Sequence, residues 1–202
     1  MPTARLTGQE RRAAIIDTAI NLFAENGFRG VTTRELAQAV GVSEPVLYQH
    51  FPSKRDLYNA IIETIVEKSA PSFGDCPNIP PTLGDNREFF IAVASAIIDW
   101  HERHPAYLRL LIFSALEGHE FSELFFERHS VHFLNALADH IRTQVEIKAF
   151  RPVDPVVAAH HFIGVTAHYG IHCSIFQKNK VTMPRDAVVS SIVDIFMKGI
   201  LA

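Results

Sequence analysis

Residues Thr32 to Leu57 read TTRELAQAVGVSEPVLYQHFPSKRDL, two short helical patterns around Gly41 followed by an aromatic, His and Lys array. Thr32 and Thr33 stand where a helix needs an N-cap oxygen, and Glu35 lies in its first turn, where an acid suits the dipole. Leu36, Ala37 and Val40 share one face at helical spacing. Gly41 can take the left-handed backbone that ends a helix, and Val42 supplies the apolar contact that follows it. Ser43 is a second N-cap, with Pro45 in the first turn, where its missing N–H costs little. Val46, Leu47 and Phe51 bury the second helix and leave Tyr48, Gln49 and His50 near its outer face, with groups that reach bases and phosphates. The direct physical reading is a helix-turn-helix.

Working outward, charge supports contact at one end of the chain. The 202 residues are 48% hydrophobic, enough to bury a sizeable core, and the net charge is −3. Residues 1–55 hold seven Lys and Arg against five Asp and Glu, whereas residues 56–202 hold twelve against seventeen. A mildly basic head on an acidic body fits phosphate contact confined to the head. Cys76 and Cys173 form no disulfide framework. No apolar run approaches the ~18–20 residues that span a bilayer, and MPTARLTGQERR lacks the core of a signal peptide, so a cytoplasmic protein with no membrane partner is expected.

The flanking segments are helical too. Ala13, Ile16, Ala19, Ile20 and Phe23 recur at three and four between Gly8 and Asn26, and Asn26-Gly27 stops that helix. Ser53 and Asp56 have capping-box spacing at the start of a helix running to about Lys68, with Leu57, Ala60, Ile61 and Ile65 as its stripe. Residues 70–84 contain four prolines and two glycines and break the pattern. Helices then follow over Asn86–His104, Pro105–Glu117, Glu120–Lys148 with an interruption, Asp154–Phe176 and Pro184–Leu201. No sustained period-two run occurs, so the fold class expected is all-α.

Gly30-Val-Thr-Thr-Arg-Glu-Leu-Ala-Gln, the Gly41-Val-Ser turn and Pro45-Val-Leu-Tyr-Gln-His-Phe with Ser53-Lys54 resemble the TetR family of bacterial transcriptional regulators. The resemblance is specific over about residues 9–60 and extends to the rest only in length, helicity and order. It implies a three-helix helix-turn-helix DNA-binding domain over 1–52 and a helical ligand-binding and dimerisation domain over 53–202. It further implies that Thr33 and Lys54 contact phosphate, that Arg34 reaches a guanine edge, and that Glu44, Pro45 and Gln49 face bases while Tyr48 and His50 meet the backbone. With Thr32, Ser43 and Val46 these make up the candidate DNA-facing set. Val46 replaces the small or hydroxylated residue frequent there, which favours a thymine methyl contact. Glu44 places a carboxylate near phosphates, where it accepts from cytosine, pairs with a cation or points away. For Arg34 the plainer alternative is a surface ion pair with Glu35 or Glu44.

The body offers three further patterns. Ten of the eleven histidines lie beyond residue 100, with His161, His168 and His172 on one helical face beside Cys173, and with His129 and His132 as a second pair. Such spacing is compatible with metal, but no distinctive ligand motif accompanies it, and neither a metal nor another cofactor is expected. The aromatic load in the body suits an apolar effector pocket, with Trp100, His104, Tyr107, Phe113, Phe125, Phe133 and His160 as candidate lining and plain core packing as the alternative. Small residues Gly164, Ala167, Gly170 and Ser174, with Val188, Ile192 and Ile195 on the last helix, make a candidate homodimer interface, against which stands packing within the chain. The resemblance adds His168 to that interface.

Neither a nucleophile elbow, a phosphate loop nor a zinc-hydrolase spacing is present, so catalysis is not expected. The expectation is a homodimeric repressor on a palindromic double-stranded DNA operator, released by a small, largely apolar or aromatic effector. A DNA-binding protein with a vestigial pocket is the alternative within the same fold.

Overall fold

The computed structural model describes residues 7–74, 85–118, 127, 130–176 and 183–201, with side chains given for all of these except 66–74. Nine α-helices lie among the described residues: α1 Gly8–Asn26, α2 Thr33–Val40, α3 Glu44–His50, α4 Lys54–Gly74, α5 Asn86–Arg103, α6 Pro105–Glu117, α7 Val131–Glu146, α8 Pro155–Ile171 and α9 Arg185–Ile200. A short π-helical turn, His172–Phe176, continues α8. Among the described residues the sole β feature is an isolated bridge between Phe150 and Leu201.

Local chemistry accounts for most of the helix ends. Thr7 and Glu10 form a reciprocal capping box on α1, and Thr32 and Glu35 form another on α2. Gly41 adopts φ 76° and ψ 31°, and the Val42 N–H reaches back to the Ala37 carbonyl at 2.9 Å, closing α2 as the sequence suggests. Asp154 accepts from the N–H groups of Val156 and Val157 at the start of α8, where Pro155 has none to offer. At the other end of the body, the Arg151 guanidinium donates to the Gly199 carbonyl at 2.7 Å and ties off α9.

One helix end differs clearly from expectation. Helix α4 runs on to Gly74 through Pro71, into the stretch expected to break it. A single proline forfeits one helical hydrogen bond and crowds the preceding turn without always ending the helix. Residues 75–84, the rest of that stretch, lie outside the described residues, as do most of residues 120–129 at the start of the helical segment expected over Glu120–Lys148.

The chain divides into two compact units: Met1–Lys68 with Ala106–Leu124, and Ser69–Pro105 with Phe125–Ala202. Most of α4, up to Lys68, and α6 after it cluster with the N-terminal helices. In the first unit Ile15, Ile16, Ala19, Ile20 and Phe23 of α1 are buried, together with Leu36 and Ala37 of α2, Leu47 of α3 and Leu57, Tyr58 and Ile61 of α4. Ala13 lies exposed, and Ile15 takes the core place that it was expected to hold. Phe23, Phe28 and Tyr58 form an aromatic trio, with the Tyr58 ring edge-on at 5.1 Å from each of the others. In the second unit Phe89, Phe90, Phe133, Phe150, Phe162 and Phe196 belong to one apolar cluster drawn from α5, α7, α8 and α9 and, for Phe150, from the connection between α7 and α8.

Candidate nucleic-acid interface

Of the eleven residues expected to face DNA, Thr32, Arg34, Ser43, Pro45, Tyr48 and Gln49 are exposed, and Thr33, Glu44, Val46, His50 and Lys54 are half-buried. Leu47 and Phe51 anchor the recognition helix α3 from beneath, which leaves Tyr48 44% exposed on its outer side. The surface is held from below by apolar contacts and, at the start of α2, by the Thr32–Glu35 capping box.

The hydroxyls divide their work. The Thr32 hydroxyl donates to the Glu35 carboxylate at 2.8 Å and accepts the Glu35 N–H at 3.2 Å, so its first role is the cap. The Thr32 N–H also donates to that carboxylate, and this bond is the main cause that holds Glu35 below the usual carboxylate range. Thr33 points elsewhere: its hydroxyl donates to Glu44 Oε2 at 3.2 Å, joining the first residue of α2 to the first residue of α3. Ser43 occupies the N-cap position of α3 and its carbonyl accepts from Leu47, yet its hydroxyl makes no capping bond. Pro45 at the second helical position has removed one of the two N–H groups that a cap would satisfy.

The cations are equally distinct. Arg34 makes no ion pair among the described residues; Glu35 and Glu44, its two expected neighbours, are engaged with Thr32 and Thr33. Lys54 lies with Nζ 4.3 Å from the Phe28 ring centroid. Partial burial pushes its pKa down, and the charges of Glu117 and Glu35 push it back up. Arg12 packs its guanidinium over Phe51 at 4.8 Å, beneath the recognition helix.

Glu117 is a residue that sequence reasoning missed. It closes α6, and its carboxylate accepts the main-chain N–H groups of Phe28 at 3.2 Å and Arg29 at 3.3 Å. Phe113, four residues earlier and a candidate for the pocket lining, has its ring in the first unit, 2.9 Å from where a Cβ on Gly27 would sit. Nothing within ten residues of either position signals this packing.

The remaining pocket candidates are divided between the two units. Tyr107 falls with Phe113 in the first unit, whereas Trp100, His104, Phe133 and His160 fall in the second, and Phe125 is outside the described residues. Trp100 is buried, its ring 5.7 Å from that of His104. Phe133 is part of the apolar cluster, and His160 is exposed on α8. An open hollow of about 460 Å³ is lined by Arg151, Val157, His161, Ile195, Phe196 and Gly199, among others.

The small-residue stripe also divides. Gly164 is exposed with open space above it, and Ala167 packs partly against the core. Gly170 faces inward: a Cβ there would lie 2.8 Å from His101 Cγ. The Ser174 hydroxyl donates to the His101 carbonyl at 3.0 Å. Gly170 and Ser174 therefore make packing contacts within the chain, and Val188 is likewise buried. Ile192 packs partly against the core, while His168 and Ile195 remain exposed. His168 and His172 have ring centroids 6.3 Å apart, but among the described residues no group of three potential metal ligands assembles; His129 lies outside them.

Comparison with known proteins agrees with this geometry. Residues 15–61 match the model of bacterial regulatory proteins of the tetR family, and residues 91–199 match that of the AefR-like transcriptional repressor C-terminal domain. The nucleoid occlusion factor SlmA of Haemophilus influenzae is 30% identical over 165 residues, covering 76% of this chain and 71% of that protein. The ketosteroid transcriptional regulator KstR2 of Mycobacterium tuberculosis superposes with a TM-score of 0.71 at 19% identity, over 100% of both chains. A crystal structure of AibR in complex with isovaleryl coenzyme A and operator DNA gives 0.63 at 22% identity, over 92% of this chain and 97% of that one. Among the described residues, no helix is long and apolar enough to cross a membrane. The chain belongs to the TetR family and is a DNA-binding regulator of transcription, not an enzyme.

Proposed function

We propose that the protein is a homodimeric repressor that leaves a palindromic operator when a small, largely apolar or aromatic effector binds its body. The observation that carries the DNA half is the recognition helix, anchored through Leu47 and Phe51 with Pro45, Tyr48 and Gln49 outward. Thr32, Arg34, Ser43, His50 and Lys54 border it and supply the hydroxyl and cationic groups that phosphates require.

The dimer half rests on an unpartnered face. Val157, Gly164, Val165 and His168 on α8 and Ile195 on α9 are exposed in the single chain. Apolar groups left in water on two long helices favour a second copy, and a two-fold dimer would present paired recognition helices to half-sites about one DNA turn apart. The effector half rests on the structural neighbour crystallised with both an acyl-coenzyme A and operator DNA. A ligand that prefers the off-DNA conformation weakens operator binding by the same factor as operator weakens ligand binding.

The test is footprinting of the purified protein on the DNA flanking its own gene across a range of salt. A palindromic protected site, bound more weakly as salt rises, supports the reading. Absence of any protected site at moderate salt, with a folded protein, overturns it. Thermal-shift screening against apolar and aromatic metabolites then tests the effector, since a ligand that binds the native state raises its melting temperature.

A further inference from the structure

The bond between Thr33 and Glu44 joins the first residues of the two helices that make up the helix-turn-helix. A glutamate has three rotatable side-chain bonds, and on an open surface it samples many directions. Here one carboxylate oxygen, Oε2, is held by the Thr33 hydroxyl at 3.2 Å. Oε1 makes no hydrogen bond, and the carboxylate no ion pair, among the described residues. The result is an acceptor oxygen aimed by its twin, at the N-terminal end of the recognition helix, where such helices meet base edges.

The chemistry of an ionised carboxylate narrows what it can meet there. It accepts and never donates. Guanine offers O6 and N7 in the major groove and thymine offers O4, all acceptors that repel it. Cytosine offers the N4 amino group with no acceptor beside it on the same base. Adenine offers an N6 amino group, but its N7 lone pair lies next to that group. A single fixed oxygen is therefore best matched by cytosine.

We propose that Glu44 reads a cytosine through its N4 amino group, and that Thr33 is the positioning residue that aims it. The inference rests on the operator-binding reading and goes beyond it, because it names a base and gives Thr33 a role in specificity rather than in phosphate contact. Pro45, next in the chain, favours the same outcome: its ring fixes φ at the second position of α3 and stiffens the turn from which Glu44 projects.

The experiment is selection from a random duplex library with the full-length protein and its Glu44→Gln, Glu44→Ala, Thr33→Val and Thr33→Ser variants, each first checked for its melting curve. The wild type is expected to enrich a palindrome with cytosine at one position of each half-site. Glu44→Gln moves that position to adenine, whose N6 and N7 match an amide, and Glu44→Ala leaves it without preference. Thr33→Val keeps every other position but lowers discrimination at this one by about 5- to 100-fold, and Thr33→Ser restores it. An unchanged base preference in both Glu44 variants overturns the proposal while leaving operator binding intact. A Thr33→Val protein that weakens evenly on all sequences, with a salt slope shallower by about one, assigns Thr33 to phosphate and overturns its positioning role. If the folded wild type enriches no site, operator binding itself fails and the proposal with it.

Discussion

Glu117 accepts the main-chain N–H of Phe28 at 3.2 Å across 89 residues of sequence. A second bond, from the Arg29 N–H at 3.3 Å, fixes the link between α1 and α2 to the end of α6. The same carboxylate raises the Tyr58 hydroxyl, already pushed up by burial, to a pKa of about 12, and it supports the charge on Lys54. One side chain thus holds the connection and favours the charge of a candidate phosphate contact.

Removing it by Glu117→Ala strips the acceptor from two N–H groups, one of them on a half-buried residue. The expected loss is about 1–3 kcal/mol of unfolding free energy, the range for leaving such donors unsatisfied. Glu117→Gln keeps an acceptor oxygen and is expected to recover part of that loss. Denaturant melts of the three proteins check this; equal stability of wild type and Glu117→Ala would show the bonds to be of no consequence.

Two glycines on α8 make a matched contrast. Gly170→Ala drives a Cβ to 2.8 Å from the ring of buried His101, so either the ring or the helix must move. A cost of roughly 1–3 kcal/mol is expected for such overpacking. Gly164→Ala meets nothing within 4 Å and exchanges a helix-interior glycine for the best helix former, so the chain itself is expected to gain about 0.5–1 kcal/mol. Melts at protein concentrations low enough to separate subunits read both; a larger penalty at Gly164 than at Gly170 contradicts the packing described.

The contrast also shows where sequence reading stopped. The helix-turn-helix was legible because its determinants are local: Thr32 with Glu35, Gly41 with Ala37 and Val42, all within a few residues. The stripe of Gly164, Ala167 and Gly170 was not, because each step of three falls short of a full turn. Two such steps carry a residue about 120° around the axis, from the open face of Gly164 to the packed face of Gly170. The Ser43 hydroxyl shows a different failure, since residue preference predicts a capping bond but Pro45 takes away part of what it would bond. The place of α6 in the first unit was illegible for want of any local signal, because Glu117 and Phe113 find their partners some 86 to 89 residues earlier.

Stability is expected to fall as pH drops below neutral. Burial holds His101, His104 and His140 below the ordinary value of 6.5, with Arg103 adding to the effect at His104. For His101 the bond to the Ile97 carbonyl, at 2.7 Å, opposes burial without cancelling it. Below about pH 6.5 the unfolded chain binds protons that these folded side chains refuse, so unfolding free energy declines with falling pH until the folded values are reached. His140 stacks on Phe89 at 3.8 Å, with Nε2 3.0 Å from Asn86 Oδ1. His140→Gln should cost stability at pH 7.5 yet flatten the decline between pH 7 and 5. Denaturant melts across that range decide it; a slope equal to wild type removes His140 from the account.

Among the proposed phosphate contacts, Lys54 combines a charge with a packing role over Phe28. Lys54→Ala is expected to weaken binding to all DNA sequences alike and to reduce the salt slope by about one. Tyr48→Phe removes only a hydroxyl from an exposed ring, so it should weaken binding on all sequences while leaving the melting curve unchanged. Isotherms at several salt concentrations separate the two effects; a change of base preference in either variant would place that side chain on a base instead.

Ile195 gives the most direct test of the dimer. It is 72% exposed on α9, beside Val157, His161 and Gly199 around the same hollow. Nothing within the chain requires a large apolar side chain at that position, so Ile195→Glu should leave the monomer's fold intact. In a dimer that covers this face, the carboxylate would be buried without a partner, at a cost of several kcal/mol counted over the two copies. Sedimentation at micromolar concentration should then find Ile195→Glu monomeric and the wild type dimeric, with the helical circular-dichroism signal retained. Loss of the dimer also separates the paired recognition helices, so binding to a palindrome should fall toward that of one half-site. A variant that stays dimeric moves the interface away from this face of α8 and α9.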